Sequence, residues 1–184
     1  GESVSLSSDG STVAIGASYN DGNGSYSGHV RIYENVSGTW TQLGADIDGE
    51  AAYDLSGESV SLSSDGSTLA IGAIGASGNG TYSGHVRIYK NVSGTWTQLG
   101  ADIDGEAAYD FSGQSVSLSS DGSTVAIGAT DNDGNGSNSG HVRVFEYDNG
   151  TWTQLGADID GEALGDESGY SVSLSSDGST VAIG

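Results

Sequence analysis

An all-β fold is predicted, made of tandem four-stranded antiparallel blades of about 56 residues arranged as a β-propeller or an open propeller-like stack. Three observations predict it. The segment SVSLSSDGST begins at Ser3 and returns unchanged at Ser59, Ser115 and Ser171, so the sequence repeats every 56 residues. A period of that length falls near that of propeller blades and exceeds those of ankyrin, tetratricopeptide and leucine-rich units. Within each repeat, apolar and polar residues alternate with period two, and the breaks between runs are rich in Gly, Asp, Asn and Ser. No stretch carries the periodicity of a helix. Three full blades are expected, over 1–56, 57–112 and 113–168, with 169–184 supplying the first hairpin of a partial fourth.

The first repeat gives each element in turn. Ser3–Ser7 alternates Ser with Val and Leu, and Asp9-Gly10 after it is a tight-hairpin signal leading into Thr12–Gly16. A polar loop, SYNDGNGSYSG, separates these from a third strand, His29–Tyr33. Ser37-Gly38 then turns the chain into Thr39–Leu43. Links this short favour antiparallel neighbours. Val4, Leu6, Val13, Ile15, Val30 and Ile32 are assigned to one bulky face, and Ser5, Ala14 and Gly16 to a small, flat one. One four-stranded sheet cannot bury such a face alone, whereas stacked sheets can lay the bulky face of one on the small face of the next. Each buried aliphatic side chain contributes roughly 1.5–3 kcal/mol before conformational entropy is subtracted. SVSLSSDGST is accordingly read as the innermost hairpin of every blade.

Composition narrows the partners. Against 25 Asp and Glu stand only 4 Lys and Arg, a formal net charge of -21. Such a chain repels nucleic acid and anionic membranes and attracts divalent cations. There are 32 Gly and no Pro, Cys or Met, and no apolar run reaches the length of a membrane span or signal peptide. The expectation is a processed product, an excised segment or a window of a longer chain, located outside the cell or at its surface.

The residues SGESVSLSSDGSTLAIGA, followed by a polar loop and GHVRIYKN, resemble the FG-GAP repeat of integrin alpha-subunit propellers, and more closely the short repeats of secreted bacterial surface proteins. At the Phe-Gly position stand Leu55-Ser56-Gly57, Phe111-Ser112-Gly113 and Glu167-Ser168-Gly169. At the Gly-Ala-Pro position stand Gly16-Ala17-Ser18, Gly72-Ala73-Ile74 and Gly128-Ala129-Thr130. The resemblance implies propeller blades on an extracellular protein, serving adhesion or scaffolding. It carries over no calcium loop, because the first hairpin holds one carboxylate, in Ser8-Asp9-Gly10-Ser11.

The strongest candidate site in the residues themselves is the segment DIDGE. Asp46, Asp48 and Glu50, with Asp54 beyond, recur as Asp102, Asp104, Glu106 and Asp110, and as Asp158, Asp160, Glu162 and Asp166. Oxygen ligands at alternate positions around a Gly are what Ca2+ loops use, though the spacing is not that of an EF-hand; the competing reading is a solvated acidic link. Asp21-Gly22-Asn23-Gly24-Ser25 is a second polar loop, and Ser77 replaces its Asp in the middle repeat. His29, His85 and His141 recur at one strand position, which argues for a structural role. Arg31, Arg87 and Arg143 on the same strand are expected to pair with carboxylates of the Asp46 type. Trp40, Trp96 and Trp152 could stack on sugars if exposed, or pack. No nucleophile, base and orienting acid stand together in a repeat, so no enzyme and no catalytic residue is expected, and no cofactor is required beyond a candidate Ca2+.

The sequence thus points to an extracellular structural or adhesive repeat protein, part of a larger propeller, surface protein or filament. The alternative is a calcium-dependent module binding a glycan or a protein. Three blades fall short of a closed propeller, so the rest comes from self-association or the remainder of a longer chain.

Overall fold

The computed structural model describes residues 1–184. It contains three successive sheets and a terminal hairpin, and every regular element is a strand. The first sheet comprises β1 (Ser3–Leu6), β2 (Thr12–Ala17), β3 (His29–Val36), β4 (Thr39–Gln42) and β5 (Ile47–Asp48). The second holds β6 (Ser56–Leu62), β7 (Thr68–Ala73), β8 (His85–Val92), β9 (Thr95–Gln98) and β10 (Ile103–Asp104). The third holds β11 (Ser115–Leu118), β12 (Thr124–Ala129), β13 (His141–Asp148), β14 (Thr151–Gln154) and β15 (Ile159–Asp160). The hairpin is β16 (Val172–Leu174) with β17 (Val181–Ile183).

Each sheet runs antiparallel through its first four strands in chain order, as the short links require. The fifth strand of each, only two residues long, pairs with the start of the third and has no counterpart in the sequence reading. Asp9 shows why the first link is so tight. Its Oδ1 accepts hydrogen bonds from the amide and hydroxyl of Ser11 at 2.9 and 2.8 Å and from the Ser7 hydroxyl at 2.8 Å, while Gly10 takes a left-handed φ of 72°.

The assignment of faces is corrected by the register. Gly16 lies opposite Val30 and Ala14 opposite Ile32, whereas Val13 faces Tyr33 and Ile15 faces Arg31. Directly opposed residues share a face, so Val30 and Ile32 belong with Ser5, Ala14 and Gly16. Both faces are therefore apolar, because inner sheets are covered on both sides. Ala14, Val30, Ile32 and Ile47 of the first sheet form one core with Val60, Leu62, Leu69, Ile71 and Tyr89 of the second. Ala70, Val86, Ile88 and Ile103 repeat the arrangement against Val116, Leu118, Val125, Ile127 and Phe145.

The first strands of consecutive sheets also lie beside one another, β1 against β6, β6 against β11 and β11 against β16. Their serines join them. The hydroxyls of Ser3, Ser59 and Ser115 donate at 2.7 Å to the carbonyls of Gly57, Gly113 and Gly169 in the next repeat. The hydroxyls of Ser5, Ser61 and Ser117 accept from the amides of Leu62, Leu118 and Leu174 at 2.9–3.0 Å. At the hairpin tips the amides of Ser8, Ser64 and Ser120 donate at 2.9 Å to the carbonyls of Ser64, Ser120 and Ser176.

Candidate functional site

The acidic segments sit where the end of one sheet meets the next, and their carboxylates take separate tasks. Asp46, just before β5, receives the Arg31 guanidinium at 2.9 and 3.0 Å on Oδ2 and the Gln42 amide at 2.6 Å on Oδ1. The Arg31 hydrogen bond holds its carboxyl below the usual range. Asp54, Asp110 and Asp166 accept the backbone amides of Ala51, Ala107 and Ala163 at 2.7–2.8 Å, each closing its own turn. Asp48, Asp104 and Asp160 lie on the short fifth strands opposite the three histidines. The backbone carbonyl of Glu162 accepts from Asn135 at 3.0 Å.

What comes together is a trio drawn from two sheets. Glu50 of the first repeat meets His85 and Asp102 of the second, and Glu106 of the second meets His141 and Asp158 of the third, with the ligand atoms of each trio within 4.8 Å of one another. His85 Nδ1 lies 3.7 Å from Asp102 Oδ2, and His141 Nδ1 lies 3.9 Å from Glu106 Oε2. Both rings are buried, at 4% and 1% exposure, and burial pushes both imidazole pKa values down, so the neutral form is favoured. His141 makes no hydrogen bond through either ring nitrogen, and His85 makes none through Nε2. Gln98 and Gln154 donate to Oδ1 of Asp102 and Asp158 at 2.6 and 2.7 Å, fixing each carboxylate. Glu50, His85 and Asp102 line a cleft of about 540 Å³ between the first two sheets, with Asp54 and Asp104 nearby.

Sequence spacing places the members of each DIDGE segment side by side but does not reveal that its glutamate serves the next sheet. The arginines show the same offset. Arg31 binds its own Asp46, as expected. Arg87 and Arg143 instead reach back one repeat, donating to the backbone carbonyls of Asp48 and Asp104 at 2.8 and 2.7 Å and lying 3.4 and 3.7 Å from Glu50 and Glu106. A carboxylate partner is thus present for these two as well, but it is a glutamate of the preceding repeat rather than an Asp46-type side chain. Arg31, whose side chain is 45% exposed, meets no glutamate and stays with the aspartate of its own repeat.

The other repeated residues tie the stack together. The indole N–H groups of Trp96 and Trp152 donate to the carbonyls of Leu43 and Leu99 in the preceding sheet at 2.9 and 2.7 Å. Trp40 is 46% exposed. In the polar loops, Asn23, Asn79 and Asn135 donate to the carbonyls of Gly49, Gly105 and Gly161 at 2.8–2.9 Å, so these loops brace the acidic segments.

Residues 101–145 match the FG-GAP repeat family. The comparison with curated proteins gives no match. Among solved structures, the chain is similar to hydrazine synthase of Kuenenia stuttgartiensis at 14% identity and a TM-score of 0.55, over 97% of this chain and 40% of that one. It is similar to a protein of Bacteroides uniformis described as a candidate 6-phosphogluconolactonase at 14% identity and a TM-score of 0.51, over 99% of this chain and 63% of that one. The periplasmic gluconolactonase PpgL of Pseudomonas aeruginosa aligns at 17% identity and a TM-score of 0.46, over 98% of this chain and 64% of that one. The chain spans between 40% and 64% of the length of these proteins. The expectation that the chain is not an enzyme is corrected here, because proteins of the same fold are named as enzymes, so the absence of a triad within a repeat does not exclude one. Residues 101–145 thus match the FG-GAP repeat, within a chain whose fold is that of tandem propeller blades.

Proposed function

We propose that the chain is a structural and adhesive module of an extracellular repeat protein, and that its stack of sheets continues by head-to-tail packing against further blades, supplied by the remainder of a longer chain or, for the chain as given, by a second copy. The observation that carries this reading is the outer face of the first sheet. Val4 and Leu6 are 68% and 57% exposed there, while their counterparts Val60, Leu62, Val116 and Leu118 are buried against a preceding sheet. At the other end, hairpin β16–β17 leaves Ser173 and Ala182 exposed, the counterparts of Ser61 and Ala70 that receive the following sheet. The two open faces are thus the two that meet inside the molecule. A contact between unlike faces is heterologous and generates a ring if the rotation closes or a filament if it does not. An extracellular setting is supported by the FG-GAP repeat and by a charge of -21, which keeps such an array off anionic surfaces.

Light scattering and electron microscopy of the purified chain test this reading. Assemblies of defined or growing size are expected, and Leu6→Asp, which places a charge on the open face, is expected to return them to monomers. A monodisperse monomer at about 100 μM, a concentration at which a sub-millimolar contact would be populated, overturns the self-assembly.

A further inference from the structure

We propose that the joints between sheets are transition-metal sites, in which Glu106, His141 and Asp158, and equivalently Glu50, His85 and Asp102, bind a divalent ion of the zinc type. His141 carries the argument. It is 1% exposed, neither ring nitrogen has a hydrogen-bond partner, and Nδ1 points at Glu106 Oε2 from 3.9 Å. A buried imidazole normally donates through one nitrogen and accepts through the other, and leaving both unmade costs free energy that a ligand would offset.

The surroundings orient ligands rather than replace them. Gln154 holds Asp158 by Oδ1, leaving its other oxygen free, as Gln98 does for Asp102, whose Oδ2 faces His85. Outer hydrogen bonds of this kind are what fix ligating carboxylates. Arg143 lies nearest Oε1 of Glu106, so Oε2 remains on the histidine side. One pair in each trio lies at 3.7–3.9 Å and all its ligand atoms within 4.8 Å, against ~3.3 Å between ligand atoms around a tetrahedral zinc with bonds of ~2.0 Å, so side-chain rotation must draw the three together on binding.

The donor set selects the ion. Imidazole with two carboxylates suits zinc and its neighbours, whereas Ca2+ takes six to eight oxygens and gains little from nitrogen. Three protein ligands leave a fourth position, which at the first joint faces the cleft of about 540 Å³. The first sheet is an internal control. His29 has Asp46 and Asp48 near it at 3.6 and 4.0 Å, but no glutamate arrives from a preceding sheet, Arg31 occupies Asp46, and no trio forms.

The test is calorimetric titration of the whole chain, stripped with a chelator, with Zn2+ and separately with Ca2+. Two zinc ions per chain are expected, with the affinity of one site reduced at least ~10-fold in Glu106→Gln and of both in the double variant with Glu50→Gln. Both glutamates are about half exposed on the rim, so these variants keep the fold, which unchanged melting of the metal-free proteins verifies. Co2+ bound in place of zinc should give the visible spectrum of a mixed nitrogen and oxygen site, halved in His141→Ala and lost when His85→Ala is added. No heat with ~100 μM zinc, equal binding in the double variant, or calcium displacing zinc at equal concentration overturns the proposal.

Discussion

Gly72 shows how little room the joints leave. A Cβ there would strike the carbonyl oxygen of Gly113 and the Ser59 hydroxyl, and Gly16 and Gly128 meet Gly57 and Gly169 in the same way. Backbone of one sheet thus rests directly on backbone of the next, which is why Ala-Ile-Gly-Ala recurs in every second strand. Gly72→Ala is expected to destabilise the chain by about 1–3 kcal/mol in urea unfolding, the usual cost of overpacking. The hairpin aspartates make a different prediction. Burial raises the Asp65 carboxyl, but hydrogen bonds from Ser67 and Ser63 and the charge of Lys90 outweigh it and hold the pKa at about 2. A carboxylate whose folded pKa is depressed stabilises the fold above its unfolded pKa and loses that contribution as pH falls through the folded value. Melting temperature is therefore expected to fall between pH 4 and pH 2 (roughly the interval between the unfolded and folded pKa values), less steeply in Asp65→Asn. At neutral pH that variant costs about 1 kcal/mol, the net worth of a lost turn hydrogen bond.

The first strand of each sheet owes its Ser-Val-Ser-Leu alternation to two demands. In the second and third sheets its Val and Leu fill a core against the preceding sheet, while in all three its Ser side chains reach the following repeat. Ser61→Ala leaves the Leu118 amide without its 3.0 Å partner and is expected to cost about 1–3 kcal/mol in denaturant titration, with native β-sheet circular dichroism retained. A loss below the error of the titration would show that water replaces the hydroxyl. The strands themselves were legible in sequence because period-two alternation and Asp-Gly turns are local signals, and the observed ends fall within a few residues of the expected ones. The faces were not, because the pairing of Ala14 with Ile32 depends on register across an eleven-residue polar loop, whose closure no local pattern specifies. The site was half legible for the same reason. Asp102 and Asp158 were visible as acidic residues, but Glu50 and Glu106 act on the next sheet, and His85 and His141 become candidate ligands only once stacking buries them, leaving His141 with no hydrogen-bond partner.

At the scale of the whole molecule, the sheets form a row in which each touches only its neighbours, so stability should follow position in the row. β7 and β12 are buried along their whole length, each in a sheet packed on both sides, whereas β2 alternates buried and half-buried residues and β16 and β17 contain no buried residue. Opening of an end sheet breaks one joint, and opening of the middle sheet breaks two. Amide exchange in the monomer should therefore be slowest in β7 and β12 and fastest in β1, β16 and β17, with β2 between. Leu6→Asp, on a face that no sheet covers, should leave this order intact, whereas Gly72→Ala should speed exchange on both sides of the joint it occupies. Uniform protection across all three sheets would instead mean that the row unfolds as one cooperative unit, with joints so strong that no sheet opens without its neighbours.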